Sequence, residues 1–430
     1  MQLDQATTDQ AAPGLAPTEP AVAATDIKRT MWFFAIVYAV EGTCQAKSGI
    51  MWQPLSHWLK ESLHWDPVTI SASLAILDVP WIIKPLWGGI SDFLPLFGYR
   101  RRPYLVLANV AAFLAFGWVA TISTAATLIP ALTVTAVAMA ASSTLCGALL
   151  VETGQKTNNS ANFVNQQWLW FNIAQMISVL TAGYLIEILS PIDALHAAAW
   201  IAAVAPLSII GGVWLIQEPR ASADLNALRE RFSALLSVFR NRNLGFVAGF
   251  LFLYYFSPGF GTPLYFQMSD RLGFSQGFIG VLSSISAAGW IIGGLLYRWR
   301  LNRLGRLALL RLSILGGVVS TLSYLAMTTP AAAVVIWLFG GITSMIAMIA
   351  TMSLAAESCP EGAEGFAFAG MMSIVNLTSP LHDTLGSVLY EHVFNRDLAP
   401  LIVVSAVATA LVFFLIPLMV LQVQREEPAS

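Results

Sequence analysis

Charged residues are scarce in this sequence. Asp, Glu, Lys and Arg make up only 11% of the 430 residues, whereas soluble domains carry about 25%. Hydrophobic residues account for 57%, and the mean hydropathy is +0.68. Such a chain cannot cover itself with polar surface, so its composition excludes a soluble protein and predicts one that lies in a membrane.

Cysteines and basic charge are also too few for several classes of function. The three cysteines, Cys44, Cys146 and Cys359, show no paired spacing, which indicates neither a disulfide framework nor a metal site. The net charge is -2, while nucleic-acid binding needs a concentrated basic face. Because no phosphate-binding loop or nucleophile–base pattern occurs either, we expect no cofactor, metal, nucleic-acid partner or enzymatic activity.

Long apolar runs fill most of the chain. A membrane-spanning helix needs about 20 mostly apolar residues, and twelve segments meet this requirement. The predicted helices cover residues 31–57, 68–93, 103–125, 128–152, 163–189, 193–216, 244–268, 275–299, 305–328, 331–356, 364–392 and 398–423.

The predicted organisation is two six-helix halves with polar segments around them. A disordered cytoplasmic tail without a signal peptide (1–27) precedes the first half (28–216), and a cytoplasmic linker (217–243) leads to the second half (244–424) and a short cytoplasmic tail (425–430). Of the 22 Lys and Arg residues, 17 fall on the side that holds both termini. Because basic loops stay in the cytosol, both termini are expected there.

The two halves resemble each other. At a shift of 205 positions, Gly88 matches Gly293 and Glu152 matches Glu357. Repeated halves that rock around a midplane site are typical of secondary transporters. The predicted fold is therefore an all-α membrane protein with the major facilitator fold, that is, 12 transmembrane helices in two six-helix halves.

The end of the second predicted helix carries the most specific motif. Residues 80–105 read "PWIIKPLWGGISDFLPLFGYRRRPYL", which resembles the helix-2 signature of the folate–biopterin transporter family. The stretches "YFQMSDRLGFSQGFIG" (265–280) and "CPEGAEGFAFAGMMSIVNL" (359–377) resemble the same family, and "YAVEG" (38–42) does so more weakly. Members usually carry aspartates in helix 4, but residues 142–152, "SSTLCGALLVE", contain no acid before Glu152.

The resemblance implies a monomeric secondary active transporter that works by alternating access. It would move folate- or pterin-like anions, coupled to a proton, across a bacterial inner membrane. Two alternatives stay open: a facilitator permease for another solute such as a muropeptide, and a non-transporting facilitator-fold assembly factor. Charges kept inside the membrane favour transport, whereas the missing helix-4 acids favour either alternative.

Four charges fall within the first two predicted helices. Such charges are costly in a membrane, so each is a functional candidate. Because the helices run in opposite directions, Glu41 and Lys84 should lie at one depth, and Lys47 and Asp78 nearer the outside. We predict both ion pairs, which could be purely structural or could contact substrate or proton.

Other polar side chains are candidates for substrate or proton binding. Gln45 shares a predicted helical face with Glu41, and the fifth helix offers amides around an indole that could hold a flat heterocycle or pack against a helix. The seventh helix is broken by Pro258 and Pro263 beside two tyrosines, and the eleventh carries a His–Asp pair next to Pro380 that could couple protons or only pack. These candidates are Gln45, Asn165, Trp168, Asn172, Gln175, Tyr254, Tyr255, Asn376, His382 and Asp383.

Glycine, acidic and basic residues at the predicted cytoplasmic ends suggest a gate. Glycine allows close helix contact, and the acids can pair with arginines, although a plain positive-inside anchor would also explain the arginines. The gate candidates are Gly88, Asp92, Arg100, Arg101, Arg102, Glu152 and Glu357.

Overall fold

The computed structural model describes residues 24–45, 47–157, 160–216, 218, 220, 242–359 and 364–417, and these residues are nearly all helical. The twelve predicted helices are present. They are α1 (Ala24–Cys44, resumed at Trp52–Glu61), α2 (Pro67–Leu74, continued by Ala75–Asp78, Val79–Ile82 and Lys84–Phe93), α3 (Arg102–Val119), α4 (Ala125–Thr157), α5 (Ser160–Ile188), α6 (Pro191–Gly212, continued by Val213–Leu215), α7 (Arg242–Tyr255, resumed at Gly261–Phe266 and Gln267–Arg271), α8 (Gln276–Trp299), α9 (Arg306–Ser323), α10 (Pro330–Glu357), α11 (Glu364–Val388, continued by Leu389–Val393) and α12 (Leu398–Leu411, continued by Val412–Leu415).

Each half has its own hydrophobic core. Buried side chains of α1 to α6 form one cluster, which includes Phe33, Leu105 and Leu128. In the second half, side chains of α7 and α9 to α12 form a second cluster, which includes Leu251 and Ile314, and a third includes Leu282 of α8 and Leu401 of α12. By length and composition, nine helices within the described residues could cross a membrane. Most of the predicted tails and linker (1–27, 217–243 and 425–430) lies outside the described residues.

Helix α1 ends at Cys44 and resumes at Trp52, a break that the apolar pattern does not predict. The chain turns there, because the amide of Gly49 donates to the Gln45 carbonyl (2.8 Å) and that of Ile50 to the Thr43 carbonyl (2.9 Å). A Cβ on Gly49 would lie 2.3 Å from the Thr43 oxygen, so the turn needs glycine. The prediction that Gln45 shares a helical face with Glu41 is therefore wrong, because the helix ends at Cys44.

Prolines interrupt α2 and leave one backbone carbonyl without a donor from its own helix. Pro85 has no N–H and cannot complete a helical bond to the carbonyl of Trp81, four residues earlier. The side-chain amide of Asn376 in α11 donates to that carbonyl instead (2.9 Å). The local helix defect in the first half is thus satisfied by the second half.

The two halves meet mainly through α5 with α8 and α2 with α11. Gly183 and Gly280 allow α5 and α8 to approach closely, since a Cβ on Gly280 would lie 2.7 Å from the Val179 carbonyl oxygen. Below, the side of the bundle that holds residues 94–101 and 300–305 is the linker side, and the opposite side is the far side.

Candidate functional site

The deepest ionic contact between the halves centres on Lys47, which lies in the break of α1. Its ammonium lies 2.6 Å from Asp78 of α2 and 3.1 Å from Asp383 of α11. All three side chains are largely shielded, with 20%, 13% and 24% of their surfaces exposed, respectively. The predicted Lys47–Asp78 pair is present, and Asp383 joins it from the second half.

His382 adjoins this cluster and contacts the break in α7. Its Nδ1 lies 2.5 Å from the carbonyl oxygen of Ser257, and the amide of Gly259 donates to the His382 carbonyl (2.9 Å). Its other ring nitrogen, Nε2, lies 3.7 Å from Asp383. The predicted break in α7 is present, and α11 supplies the hydrogen-bond partners of the unwound backbone.

The predicted Glu41–Lys84 ion pair is wrong. The carboxylate of Glu41 is buried and accepts a hydrogen bond from Ser143 of α4 (2.9 Å). Its Oε2 has no hydrogen-bond partner. The Lys84 ammonium and the Glu41 carboxylate make no contact within 4.0 Å, because Glu41 bonds Ser143 and Lys84 lies over Trp81.

Lys84, unlike Lys47, has no carboxylate in contact among the described residues. Its side chain is half-buried, and the ammonium lies over the ring of Trp81, 4.6 Å from the centroid. Among the described residues, no carboxylate lies within 4.0 Å of it, whereas two reach Lys47. A cation placed on an aromatic face gains only about 0.5–2 kcal/mol, and the ring carries no counter-charge, so the ammonium can still bind an anion.

The polar face of α5 makes contacts within the protein. The Asn172 side chain donates to the Trp168 carbonyl (2.7 Å), and Gln175 donates to the carbonyl of Ser48 in the α1 break (3.3 Å). The indole of Trp168 stacks on Trp290 of α8, with ring centroids 6.2 Å apart. These contacts fit the helix-packing alternative, and a role for this face in holding a heterocycle stays a prediction.

The tyrosines of α7 face their own half. The hydroxyl of Tyr254 bonds Ser313 of α9 (3.0 Å), and that of Tyr255 bonds Thr351 of α10 (2.7 Å).

Asn376 bonds α2, as described above. Gln45 begins the α1 break, where its carbonyl accepts from Gly49. The side chains of Asn165, Asp92 and Glu357 lie outside the described part of the structure.

On the linker side, Arg101 ties three helices of the first half together. Its guanidinium contacts Glu152 of α4 (2.8 Å) and Ser91 of α2 (2.5 Å). Gly88 is near α4, where its Cβ would lie 3.7 Å from Thr144. Arg102 lies over the ring of Tyr99. These contacts stay within one half, so the gate role of the cluster stays a prediction.

Sequence reasoning missed Glu218, which follows α6. Its carboxylate accepts the backbone N–H groups of Arg100, Arg101 and Arg102 at 2.8, 2.7 and 2.9 Å. These amides begin α3, where helix N–H groups lack partners and attract negative charge. Nothing local in the sequence indicates that this acid reaches residues 117 positions earlier.

Far-side contacts between the halves were also missed. Lys60 of α1 pairs with Asp270 of α7 (2.6 Å), and Gln53 donates to the carbonyl of Gln276 (2.7 Å). The amide of Gly277 donates to Glu187 of α5 (2.9 Å). Together with the Lys47 cluster, these contacts close the far side of the bundle.

The comparisons with known proteins agree with this architecture. The BT1 family model matches residues 45–428. The folate-biopterin transporter of Synechocystis sp. is 28% identical over 400 residues, which are 87% of this chain and 78% of that protein. The probable folate-biopterin transporter 5 of Arabidopsis thaliana is 25% identical over 376 residues, 80% of this chain and 74% of that protein.

Solved structures show the same fold at low identity. The D-xylose-proton symporter has a TM-score of 0.71 at 13% identity and covers 91% of this chain and 96% of its own. The nucleoside transporter NupG has a TM-score of 0.69 at 13% identity and covers 92% and 99%. The described residues, with their helices in two halves that meet at a charged cluster, thus have the major facilitator fold.

The chain belongs to the BT1 family. Its sequence motifs predicted a relative of the folate–biopterin transporters, and a protein of that name is among its relatives. Both the predicted fold and the family resemblance are confirmed. The curated relatives are named as transporters, not enzymes.

Proposed function

We propose that this protein is a proton-coupled secondary transporter of folate- or pterin-like anions that works by alternating access. Its family and the names of its relatives support the substrate class. The observation that carries the proposal is the contrast between its two intramembrane lysines. Lys47 has two carboxylates in contact, and Lys84 has none among the described residues, so Lys84 is the group available to a substrate carboxylate.

The far-side closure supports alternating access. The cross-half ion pairs Lys60–Asp270 and Lys47–Asp383 lie at the far ends of the helices and at the Lys47 cluster below them. The basic residues put the linker side in the cytosol. The described conformation would then be closed to the outside of a bacterial inner membrane, with both termini inside and the protein acting as a monomer.

Uptake by purified protein in proteoliposomes tests the function. Labelled folate should enter faster when the external medium is acidic, and collapse of the pH gradient by an ionophore should remove that difference. Excess unlabelled folate or pterin should compete, and a muropeptide should not. Uptake equal to that of empty liposomes would contradict the proposal, and competition by the muropeptide alone would favour the permease alternative.

A further inference from the structure

The cluster around Lys47 holds two carboxyl groups but only one ammonium. One ammonium faces two carboxylates, at 2.6 Å and 3.1 Å. The groups that face it are Lys47 from α1, Asp78 from α2, and His382 and Asp383 from α11, while the α7 break contributes the backbone of Ser257 and Gly259. Because an unbalanced charge inside a membrane is costly, the cluster is suited to receive a single cation.

The hydrogen bonds of His382 indicate where a proton would go. Its Nδ1 faces the carbonyl oxygen of Ser257, which can only accept, so Nδ1 carries hydrogen and Nε2 has the free lone pair. Nε2 lies 3.7 Å from Asp383, beyond ordinary hydrogen-bond length. A proton on Nε2 would turn this weak contact into an attractive pair within α11.

The two oxygens of Asp383 face partners in different halves: Oδ2 contacts Lys47 (3.1 Å), and Oδ1 lies 3.7 Å from Nε2 of His382. A second cation at Oδ1 would share the carboxylate charge that now holds Lys47 and would repel its ammonium. Lys47 holds it to the first half, and protonated His382 would hold it to its own helix. Lys47 would keep Asp78, so no charge would be left alone by the exchange. We infer that a proton bound between His382 and Asp383 releases Asp383 from Lys47 and thereby unlocks the far side of the transporter. This inference rests on the proposed proton-coupled function and names its proton site and the contact that the proton controls.

A cross-link above the cluster reports whether the far side is closed. The hydroxyls of Ser71 in α2 and Ser387 in α11 lie 2.7 Å apart, close enough for a disulfide between substituted cysteines. The full-length Ser71→Cys/Ser387→Cys protein would be reconstituted without substrate, and its initial rate of oxidative cross-linking measured across the pH range in which histidine titrates. Thiol ionisation changes every variant equally, so each rate is compared with that of His382→Gln at the same pH.

Acidification should slow cross-linking several-fold in the parent relative to His382→Gln. The control His392→Gln, an exposed position at the end of the same helix, should follow the parent. Asp383→Asn, which keeps the shape of the side chain but weakens its hold on Lys47, should cross-link slowly at every pH.

Identical pH profiles for the parent and His382→Gln would overturn the inference, as would a fast, parent-like rate for Asp383→Asn. The assay contains no substrate, so its result is independent of what is transported. Proton-driven folate uptake together with identical profiles would leave the proposed function standing and make Glu41 the next proton-site candidate. A pH-dependent cross-link without folate uptake would support the inferred proton site and contradict the proposed substrate class.

Discussion

The side-chain amide of Asn376 donates to the main-chain carbonyl of Trp81 across the contact between the two halves, at 2.9 Å. That carbonyl lacks a helical donor because residue 85 is proline. The second half thus completes the hydrogen bonding of a helix in the first. Three residues further along α2, Lys84 lies over the ring of the same tryptophan.

A double-mutant cycle tests this relationship. Asn376→Ala should lower stability by about 0.6–1 kcal/mol, the usual range for a hydrogen bond between membrane helices, as measured by unfolding in detergent. In a Pro85→Ala background, the new amide can bond Trp81, so Asn376→Ala should cost less. Equal costs in the two backgrounds would show that the carbonyl is satisfied in another way.

The contact of α7 with α11 depends on Gly386. A Cβ there would lie 1.5 Å from the carbonyl oxygen of Gly259, so the backbones would have to separate. Gly386→Ala should lower the melting temperature by an amount equivalent to about 1–3 kcal/mol or more, as overpacking does. Gly370→Ala, on the same helix with no atom within 4 Å of its Cβ, is the matched control and should be neutral. Equal melting temperatures for the two variants would contradict this packing.

Alternating access requires the far side of the bundle to open once in each transport cycle. Oxidised Ser71→Cys/Ser387→Cys protein should therefore lose folate uptake in proteoliposomes, and a reducing agent should restore it. The Ser71→Cys single variant controls for the native cysteines and should be unaffected by the oxidant. Full uptake by the cross-linked protein would rule out alternation at this contact.

Glu218 should stabilise the start of α3. Glu218→Gln removes the charge that three backbone N–H groups share, and we expect a loss of about 1 kcal/mol, as for other helix N-terminal caps. Arg220→Gln changes an exposed neighbour and should leave the melting temperature unchanged. A Glu218→Gln protein as stable as the control would mean that water replaces the carboxylate.

How much the sequence could predict depended on whether a contact was local. Periodicity and charge placed all twelve helices, and the opposite directions of the first two were enough to pair Lys47 with Asp78. The same depth argument failed for Glu41 and Lys84, because it assumed regular helices. The chain turns at Gly49, and α2 is divided into short segments with prolines at positions 80 and 85.

Contacts between distant segments could not be predicted from local patterns. Asp383 was recognised as a proton candidate, but its bond to Lys47 joins positions 336 residues apart. The partners of Glu218 and Lys60 depend similarly on how helices pack. Such pairings follow from the assembled bundle, and no local motif encodes them.

The central claim is that Lys84 binds the negative charge of a pteridine substrate. Its most direct test is the folate affinity of purified protein, measured by calorimetry for the parent, Lys84→Gln and the control Lys28→Gln, which changes an exposed lysine, with neutral pterin as a second ligand. Folate should bind the parent and Lys28→Gln alike and at least tenfold more weakly to Lys84→Gln, about 1.4 kcal/mol, while pterin affinity changes little. Equal folate affinity for the parent and Lys84→Gln would contradict the claim.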